Sequence, residues 1–149
     1  MSNETVPDFL AIYEQYQALK PGPKAELRRA ATPSDLLEVS AFYHLLQGHQ
    51  ADARMQRLVY CLPVIKHQAD GSGLGQALAK AKANISEKRL FMVLRSEAPN
   101  DFIQLRRLLK MAEPTLDWLK VAPLLYYWGE SSKRKLLEDF FYYQNYSVA

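Results

Sequence analysis

Apolar residues recur at helical spacing along most of this chain, and the pattern is clearest between Ser86 and Pro114. This stretch predicts two amphipathic helices separated at Ala98-Pro99, because a residue before proline is disfavoured in the α region. The apolar face of the second helix consists of Phe102, Leu105, Leu108, Leu109 and Ala112. At about 100° per residue, three bases are predicted to lie together beside that face, namely Arg106, Arg107 and Lys110. The first helix has its own apolar stripe, and Lys88 and Arg95 share one of its sides.

Periodicity, capping residues, prolines and glycines predict further helices on both sides of this stretch. They cover about residues 7–19, 24–31, 32–48 with an interruption near Ser40, 51–65 with a kink or end at Pro63, 76–82, 115–128 with an interruption at Pro123, and a last helix capped by Ser131. No segment shows sustained alternation with β-branched enrichment, so no strand is predicted. The predicted fold class is all-α, a helical bundle of eight or nine helices in two small packed lobes.

A length of 149 residues with 48% hydrophobic content fits a single helical chain, or two small lobes that share a core. A boundary between lobes 1–70 and 76–149 is predicted at the glycine-rich loop that joins them. The single cysteine, Cys61, excludes an internal disulfide framework and is typical of a reducing cytoplasm. No signal peptide or membrane-spanning stretch is recognisable. These features predict a soluble cytoplasmic protein with no membrane partner.

The charge is concentrated in one part of the chain. The formal net charge is +3, but residues 80–110 contain eight bases and three acids, so they carry +5 and the remainder carries −2. Such a segment predicts a polyanion as partner on one face, although clustered lysine is more often an ordinary solvated surface.

Neither the glycine loop nor the histidines match a known cofactor or metal pattern. Gly71, Gly73 and Gly75 alternate, but no strand precedes them and no lysine follows at the required place, so a flexible connector is predicted. The three histidines and Cys61 include no ligand pair four residues apart on one helix. We therefore predict no cofactor and no metal.

The sequence gives equally little indication of a catalytic site. Cys61 lies on an apolar stripe, where a thiol behaves as a small hydrophobe. Helix capping, solvation and pairing with Arg134 or Lys135 explain the carboxylates that could act as acid or base. These carboxylates are Glu113, Asp117, Glu138 and Asp139. The sequence predicts that the protein is not an enzyme.

Basic groups recur on several predicted helices and are the strongest functional signal in the residues themselves. They are Arg28-Arg29, Lys88-Arg89, Arg106-Arg107 and Lys133-Arg134-Lys135. Arginine forks suit phosphate geometry, and helices that converge on one side would form a groove following a nucleic-acid backbone. No helix-turn-helix, zinc finger or leucine-zipper basic region is present, so contact mainly to the backbone is predicted.

Aromatic residues in the last two helices could stack on bases, but at helical spacing they are more often core. Phe140 and Tyr143 fit the core stripe of the last helix. Phe141, Tyr142 and Tyr146 lie off that stripe and are candidates for contact with a partner protein.

Short motifs follow one another over nearly the whole chain. They are Leu27-Arg-Arg29, Ala41-Phe-Tyr43, Leu74-Gly-x-Ala-Leu-Ala79, Arg89-Leu-Phe-x-x-Leu-Arg95, Gln104-Leu-Arg-Arg-Leu-Leu109, Ala112-Glu-Pro114, Leu116-Asp-Trp118, Trp128-Gly129 and Leu136-Leu-Glu-Asp-Phe140. Each motif is unspecific alone, but together they are hard to obtain by chance. In this series the chain resembles the CasB family, the small subunit of the type I-E CRISPR surveillance complex Cascade.

The resemblance implies an all-α protein of two lobes with no catalytic role, present as two head-to-tail copies in the assembly. The implied partners are the backbone and large subunits of Cascade, a second copy of the chain, the guide crRNA and target DNA. A basic groove is implied to hold target DNA, especially the displaced non-target strand of the R-loop. Arg29, Arg89 and Arg107 match family arginines in that groove, while Arg28 and Arg106 are adjacent bases. A displaced strand needs a sequence-blind positive track, which agrees with the basic groups.

Two positions depart from the family pattern. Gln76 and Glu130 stand where family members often carry a base, and Lys133, Arg134 and Lys135 are candidates to compensate for Glu130. The predicted nucleic-acid-binding residues are Arg28, Arg29, Arg89, Arg106, Arg107, Lys110, Lys133 and Arg134. The predicted function is a non-catalytic subunit of an RNA-guided antiviral complex that stabilises the R-loop. The alternative is a purely architectural module whose bases face acidic protein surfaces.

Overall fold

The structure, a computed structural model, describes residues 6–146, which contain nine α-helices, two short 3₁₀-helices and one pair of two-residue strands. The α-helices are α1 (Phe9–Ala18), α2 (Pro21–Arg29), α3 (Ser40–His44), α4 (Ala53–Cys61), α5 (Leu74–Ala79), α6 (Glu87–Arg95), α7 (Asn100–Ala112), α8 (Trp118–Tyr126) and α9 (Glu130–Tyr146). The 3₁₀-helices are Pro33–Glu38 and Leu62–Val64, and the strands are β1 (Lys66–His67) and β2 (Thr115–Leu116). The prediction of an all-α fold is confirmed.

Helices α6 and α7 form where the apolar pattern places them and pack against each other. The hydroxyl of Ser86 accepts a hydrogen bond from the backbone N–H of Arg89 at 3.2 Å and so caps α6. Pro99 separates the two helices, which confirms the predicted break. α7 ends at Ala112, and the next residue, Glu113, adopts the left-handed conformation with φ of 46°.

The first two helices begin at different residues from those predicted. α1 begins after Asp8 rather than at Pro7, because the Asp8 carboxylate accepts a hydrogen bond from the N–H of Ala11 at 3.0 Å. α2 begins at Pro21, before the predicted start at Lys24. Proline is tolerated in a first helical turn, since its missing N–H would have no intrahelical partner there.

The segment predicted as one interrupted helix over residues 32–48 is shorter and only partly α-helical. Its first part is the 3₁₀-helix Pro33–Glu38, in which the Asp35 carboxylate accepts from the N–H of Thr32 at 3.0 Å. The interruption near Ser40 is confirmed, since α3 begins there. Continuation to Gly48 is wrong, because the chain turns through positive φ at Gln47 and Gly48.

The two internal prolines behave differently. Pro63 lies in the 3₁₀-helix that follows α4, so the predicted end near Pro63 is confirmed. Pro123 lies inside α8, and the predicted interruption there is wrong. The carbonyl that loses its donor to Pro123 belongs to Leu119, a residue that is 47% exposed, so water can satisfy it.

Strands β1 and β2 form a parallel pair that the sequence pattern does not predict. Lys66 pairs with Thr115 and His67 with Leu116. Two residues are too few for alternation to be recognised. The helix predicted from Thr115 instead begins at Trp118, after Asp117 accepts from the N–H of Leu119 at 3.0 Å.

Two further helices have boundaries that differ from the prediction. The helix predicted over residues 76–82 is α5, which begins at Leu74 and ends at Ala79. The last helix, α9, begins at Glu130, so Ser131 lies inside it rather than capping it.

One hydrophobic core receives side chains from all nine α-helices of the described residues. Its largest fully buried members are Trp118, Phe42, Phe102 and Phe140. The Trp118 indole N–H donates to the carbonyl of Phe9 at 2.8 Å and so joins α8 to α1. The division into lobes 1–70 and 76–149 stays a prediction. None of the helices within residues 6–146 is long and apolar enough to cross a membrane.

Candidate nucleic-acid interface

Arg106 is directed into the protein, although its neighbour Arg107 is exposed. Arg106 is only 4% exposed, and its guanidinium donates to the carbonyl oxygens of Ala30 at 2.5 Å and Arg28 at 2.6 Å. The guanidinium carbon also lies 4.5 Å from the ring centroid of Tyr60. The expectation that Arg106 shares an exposed basic side with Arg107 is therefore wrong. Packing against α2 and Tyr60 turns it inward.

The inward Arg106 links the middle of α7 to the end of α2 through its side chain. The last carbonyls of a helix lack intrahelical donors and carry partial negative charge, so a guanidinium is favourable there. The side chains of Arg28 and Arg29 are exposed, and the Arg29 Nε donates back to the Ala25 carbonyl at 3.3 Å. The hydrogen bond to Arg28 thus links the main chain of this basic pair to Arg106, the sequence neighbour of Arg107.

Lys110 continues this basic surface along α7. It is exposed and lies one turn beyond Arg107. Together with Lys66 it lines an open groove of about 250 Å³ between α7 and the chain that follows α4. Glu113 also lines this groove.

Arg89 joins the same surface from α6. Its guanidinium donates to the sulfur of Met111 at 3.0 Å. Met111 and Arg107 are four residues apart on α7 and therefore face the same side. We call the five exposed bases Arg28, Arg29, Arg107, Lys110 and Arg89, which come from three helices, the basic strip.

The contacts that define the basic strip do not include Lys133 or Arg134. Both lie near the start of α9, which packs mainly against α5. Arg134 is exposed and Lys133 is half-buried. The predicted pairing in this helix is confirmed for Lys135, which donates to Asp139 at 3.0 Å. That hydrogen bond raises the pKa of Lys135. Compensation for Glu130 by these bases stays a prediction.

The other bases of the central helices lie around the strip. Lys88 and Arg95 line one cavity of about 400 Å³ on α6, which confirms that they share a side. The Arg95 guanidinium lies 4.9 Å from the Phe91 ring centroid. Lys80 and Lys82 line a groove of about 410 Å³ that also includes Met111 and Glu113.

Sequence reasoning missed Lys66 as a neighbour of the strip. Lys66 stands in β1, outside any predicted helix face, and only the parallel pairing with β2 brings it close to the end of α7. The structural role of Arg106 was also missed. Helical periodicity places Arg106 and Arg107 on the same side, and only the position of α2 distinguishes them.

Cys61 is fully buried, as its apolar stripe predicts. Burial raises the pKa of the Cys61 thiol to about 12, so the reactive thiolate is strongly disfavoured. Within residues 6–146, no three His, Cys, Asp or Glu side chains are grouped so that they could hold a metal ion.

The aromatic residues of α9 agree with the prediction only for Phe140 and Tyr142, because Tyr143 is not fully buried and Phe141 packs against the core. Phe140 is fully buried and belongs to the core, whereas Tyr143 is half-buried, with the Lys80 ammonium 5.7 Å from its ring centroid. Phe141 is half-buried and its ring centroid lies 6.1 Å from that of Phe91. Tyr142 is 57% exposed. The side chain of Tyr146 lies outside the described part of the chain.

Comparisons with known proteins agree over most of the chain. The family model of CRISPR-associated protein Cse2 matches residues 23–141. The chain is 40% identical over 148 residues to the CRISPR system Cascade subunit CasB of Escherichia coli (strain K12), covering 89% of this chain and 92% of the relative. It is also similar to a chain in the crystal structure of E. coli Cascade bound to a PAM-containing dsDNA target. That match has a TM-score of 0.86 and 39% identity, and it covers 95% of this chain and 99% of the other.

Proposed function

This chain belongs to the family of CRISPR-associated protein Cse2, and we propose that it is a non-catalytic, nucleic-acid-binding subunit of a Cascade complex. In this role the basic strip holds the displaced non-target strand and the adjoining guide–target region of the R-loop. The partners are the backbone and large subunits, a second copy of the chain, the guide crRNA and target DNA. The complex acts in the cytoplasm.

The observation that supports this function best is the basic strip itself. Its bases come from three helices, and hydrogen bonds of Arg106 and Met111 link these helices to one another. Basic side chains that neutralise phosphates release counterions, and this contribution to the binding free energy does not depend on the nucleic-acid sequence. A displaced strand of any sequence requires such a track, because base pairing with the guide already reads the target.

The relatives indicate the kind of complex in which this surface would act. The E. coli relative is a Cascade subunit, and the similar solved chain comes from Cascade bound to a PAM-containing dsDNA target. Membership of the same complex is therefore part of the proposal for this chain.

The experiment uses a Cascade complex assembled with this chain as its small subunit. Replacing Arg29, Arg89 and Arg107 by alanine should leave assembly intact but accelerate release of target DNA. For three lost phosphate contacts to a single strand, the slope of log affinity against log salt should fall by about 2. Replacement of Lys20 and Lys120 by alanine removes charge outside the basic strip and should change release much less for each charge removed. Equal retention of target DNA by wild-type and triple-variant complexes across the salt series would refute the proposal.

Crosslinking separates this function from a purely architectural one. Photoreactive groups on the displaced strand should form adducts with this chain near α2 and α7. Stable assembly without any adduct would favour a module whose bases face acidic protein surfaces.

A further inference from the structure

Two buried side chains donate hydrogen bonds to the carbonyl oxygens at the end of α2. Arg106 donates to those of Arg28 and Ala30, and the Tyr60 hydroxyl donates to that of Ala31 at 2.9 Å. These carbonyls lie where a helix runs out of intrahelical donors. Arg106 belongs to α7 and Tyr60 to α4, so two core helices hold one surface segment.

The two donors also support each other. Tyr60 is 2% exposed, and its ring lies under the Arg106 guanidinium. Burial is the main cause that raises the pKa of Tyr60, so its hydroxyl keeps the proton that it donates. Among the described residues, the Nε of Arg106 has no hydrogen-bond partner. The helix end and the aromatic face are therefore the groups that visibly stabilise this cation.

Helix α2 buries few of its own side chains, although it packs against α3 and the 3₁₀-helix Leu62–Val64. Of its nine residues only Leu27 is buried. Prolines start the helix, and the chain leaves it through Ala30 toward Pro33. A segment with so few buried apolar side chains opens more easily when polar contacts do not restrain it.

We propose that Arg106 and Tyr60 form a clamp that positions Arg28 and Arg29 for contact with a nucleic-acid backbone. This inference rests on the proposed function. Arg106 is thus a positioning residue, which acts through its bonds to the main chain, whereas Arg107 contacts the strand itself. Of the two adjacent arginines, Arg106 therefore holds the end of α2 in place, and Arg107 is one of the bases that contact the strand.

Hydrogen exchange on the isolated full-length chain tests the clamp directly. Arg106→Met and, to a smaller extent, Tyr60→Phe should accelerate exchange of the α2 amides. Arg107→Gln is the matched control and should leave that exchange unchanged. Wild-type exchange in α2 for the Arg106→Met protein would overturn the clamp. If that variant fails to fold, Tyr60→Phe decides, because it keeps the ring and removes only the bond to Ala31.

DNA retention by the assembled complex tests whether the clamp acts through Arg28 and Arg29. Arg106→Met and the double variant Arg28→Gln/Arg29→Gln should each lower the salt slope by about 1.4, corresponding to two lost contacts. Combining all three changes should cause no further loss, because the two sets act through the same contacts. An additive loss would mean that Arg106 acts on its own, which would overturn the proposal.

Arg106→Lys separates charge from geometry. An ammonium keeps the positive charge but cannot reach two carbonyls with a planar fork. We expect its salt slope to resemble that of Arg106→Met, and wild-type behaviour would contradict the clamp. If Arg107→Gln and Arg28→Gln/Arg29→Gln complexes both retain DNA like wild type, the proposed function fails instead. Failure of the clamp alone would appear as a loss in those variants with none in Arg106→Met.

Discussion

Gly75 of α5 and Asp139 of α9 approach so closely that a Cβ atom on Gly75 would lie 2.5 Å from the Cβ of Asp139. The same atom would lie 2.9 Å from the carbonyl oxygen of Leu136 and 2.9 Å from the backbone nitrogen of Phe140. Backbone atoms cannot rotate away as the end of a side chain can. The missing side chain at Gly75 therefore sets the distance between α5 and α9.

Gly75→Ala should lower the free energy of unfolding by about 1–3 kcal/mol, because the added methyl group must push two helices apart. Urea denaturation measures this loss. Gly73→Ala is the matched control, since nothing lies within 4 Å of a Cβ there, and it should change stability by less than about 0.5 kcal/mol. Equal losses in both variants would show that close packing is not the cause.

Glu113 has a left-handed backbone conformation that is strained for a residue with a Cβ atom, and it places a carboxylate beside the basic strip. It is exposed, has a φ of 46°, and lines the grooves that contain Lys110 and Lys82. Glu113→Gly should raise the free energy of unfolding by about 1 kcal/mol, because glycine adopts the left-handed conformation without steric cost. Thermal denaturation measures the gain.

Glu113→Gln separates the charge from the strain. Both variants remove the carboxylate beside the basic strip, so both should slow release of target DNA from the complex to a similar extent. Only the glycine variant should gain stability. A stabilised glutamine variant would contradict the argument from strain, and unchanged DNA release in both would contradict the argument from charge.

Because the thiol of Cys61 is buried, the protein should lose stability at alkaline pH. Burial raises the pKa of Cys61 from 9.0 to about 12. Above about pH 9 the unfolded chain releases this proton while the folded chain keeps it. The stabilising contribution is therefore complete below pH 9 and is lost toward pH 12, at up to about 1.4 kcal/mol per pH unit.

Urea denaturation at several pH values between about 8 and 11 tests this slope. Cys61→Ala should show a shallower decline than wild type over the same range. Part of the decline should persist, because burial also raises the pKa of Tyr60, which adds a loss of the same sign. Parallel curves for the two proteins would exclude Cys61 as a source of the slope.

Asp101 depends on Trp128 for one of its hydrogen bonds. It is 4% exposed, and its carboxylate accepts from the Trp128 indole N–H at 3.0 Å and the Phe102 backbone N–H at 2.8 Å. Trp128→Phe should lower the free energy of unfolding by about 1–3 kcal/mol, because a buried acceptor loses its donor. Denaturant titration measures this loss, and Tyr127→Phe at the exposed neighbouring position should be nearly neutral. A neutral Trp128→Phe would mean that water replaces the indole.

Helical periodicity predicted α6 and α7 well because each buries one continuous face, with Leu90 and Val93 in α6 and Leu105 and Leu109 in α7. It failed where tertiary contacts decide the local structure. β1 and β2 exist only because two distant segments meet, and α8 accommodates Pro123 at a place where the carbonyl that loses its donor belongs to the exposed residue Leu119.

The same distinction applies to the candidate interface. The exposure of Arg29, Arg89 and Arg107 follows from their place on amphipathic helices. The burial of Arg106 depends on where α2 packs, and the position of Lys66 depends on the strand pair. Neither is encoded in the spacing of residues along one helix.

The pairing of β1 with β2 brings the chain back to the point that it left. Residues 68–114, which contain α5, α6 and α7, therefore form an excursion whose two ends meet at one junction. That geometry makes the excursion a natural segment to exchange between relatives in chimaeric proteins. Because Arg106 binds α2, an exchanged segment would have to be transplanted together with the matching end of α2.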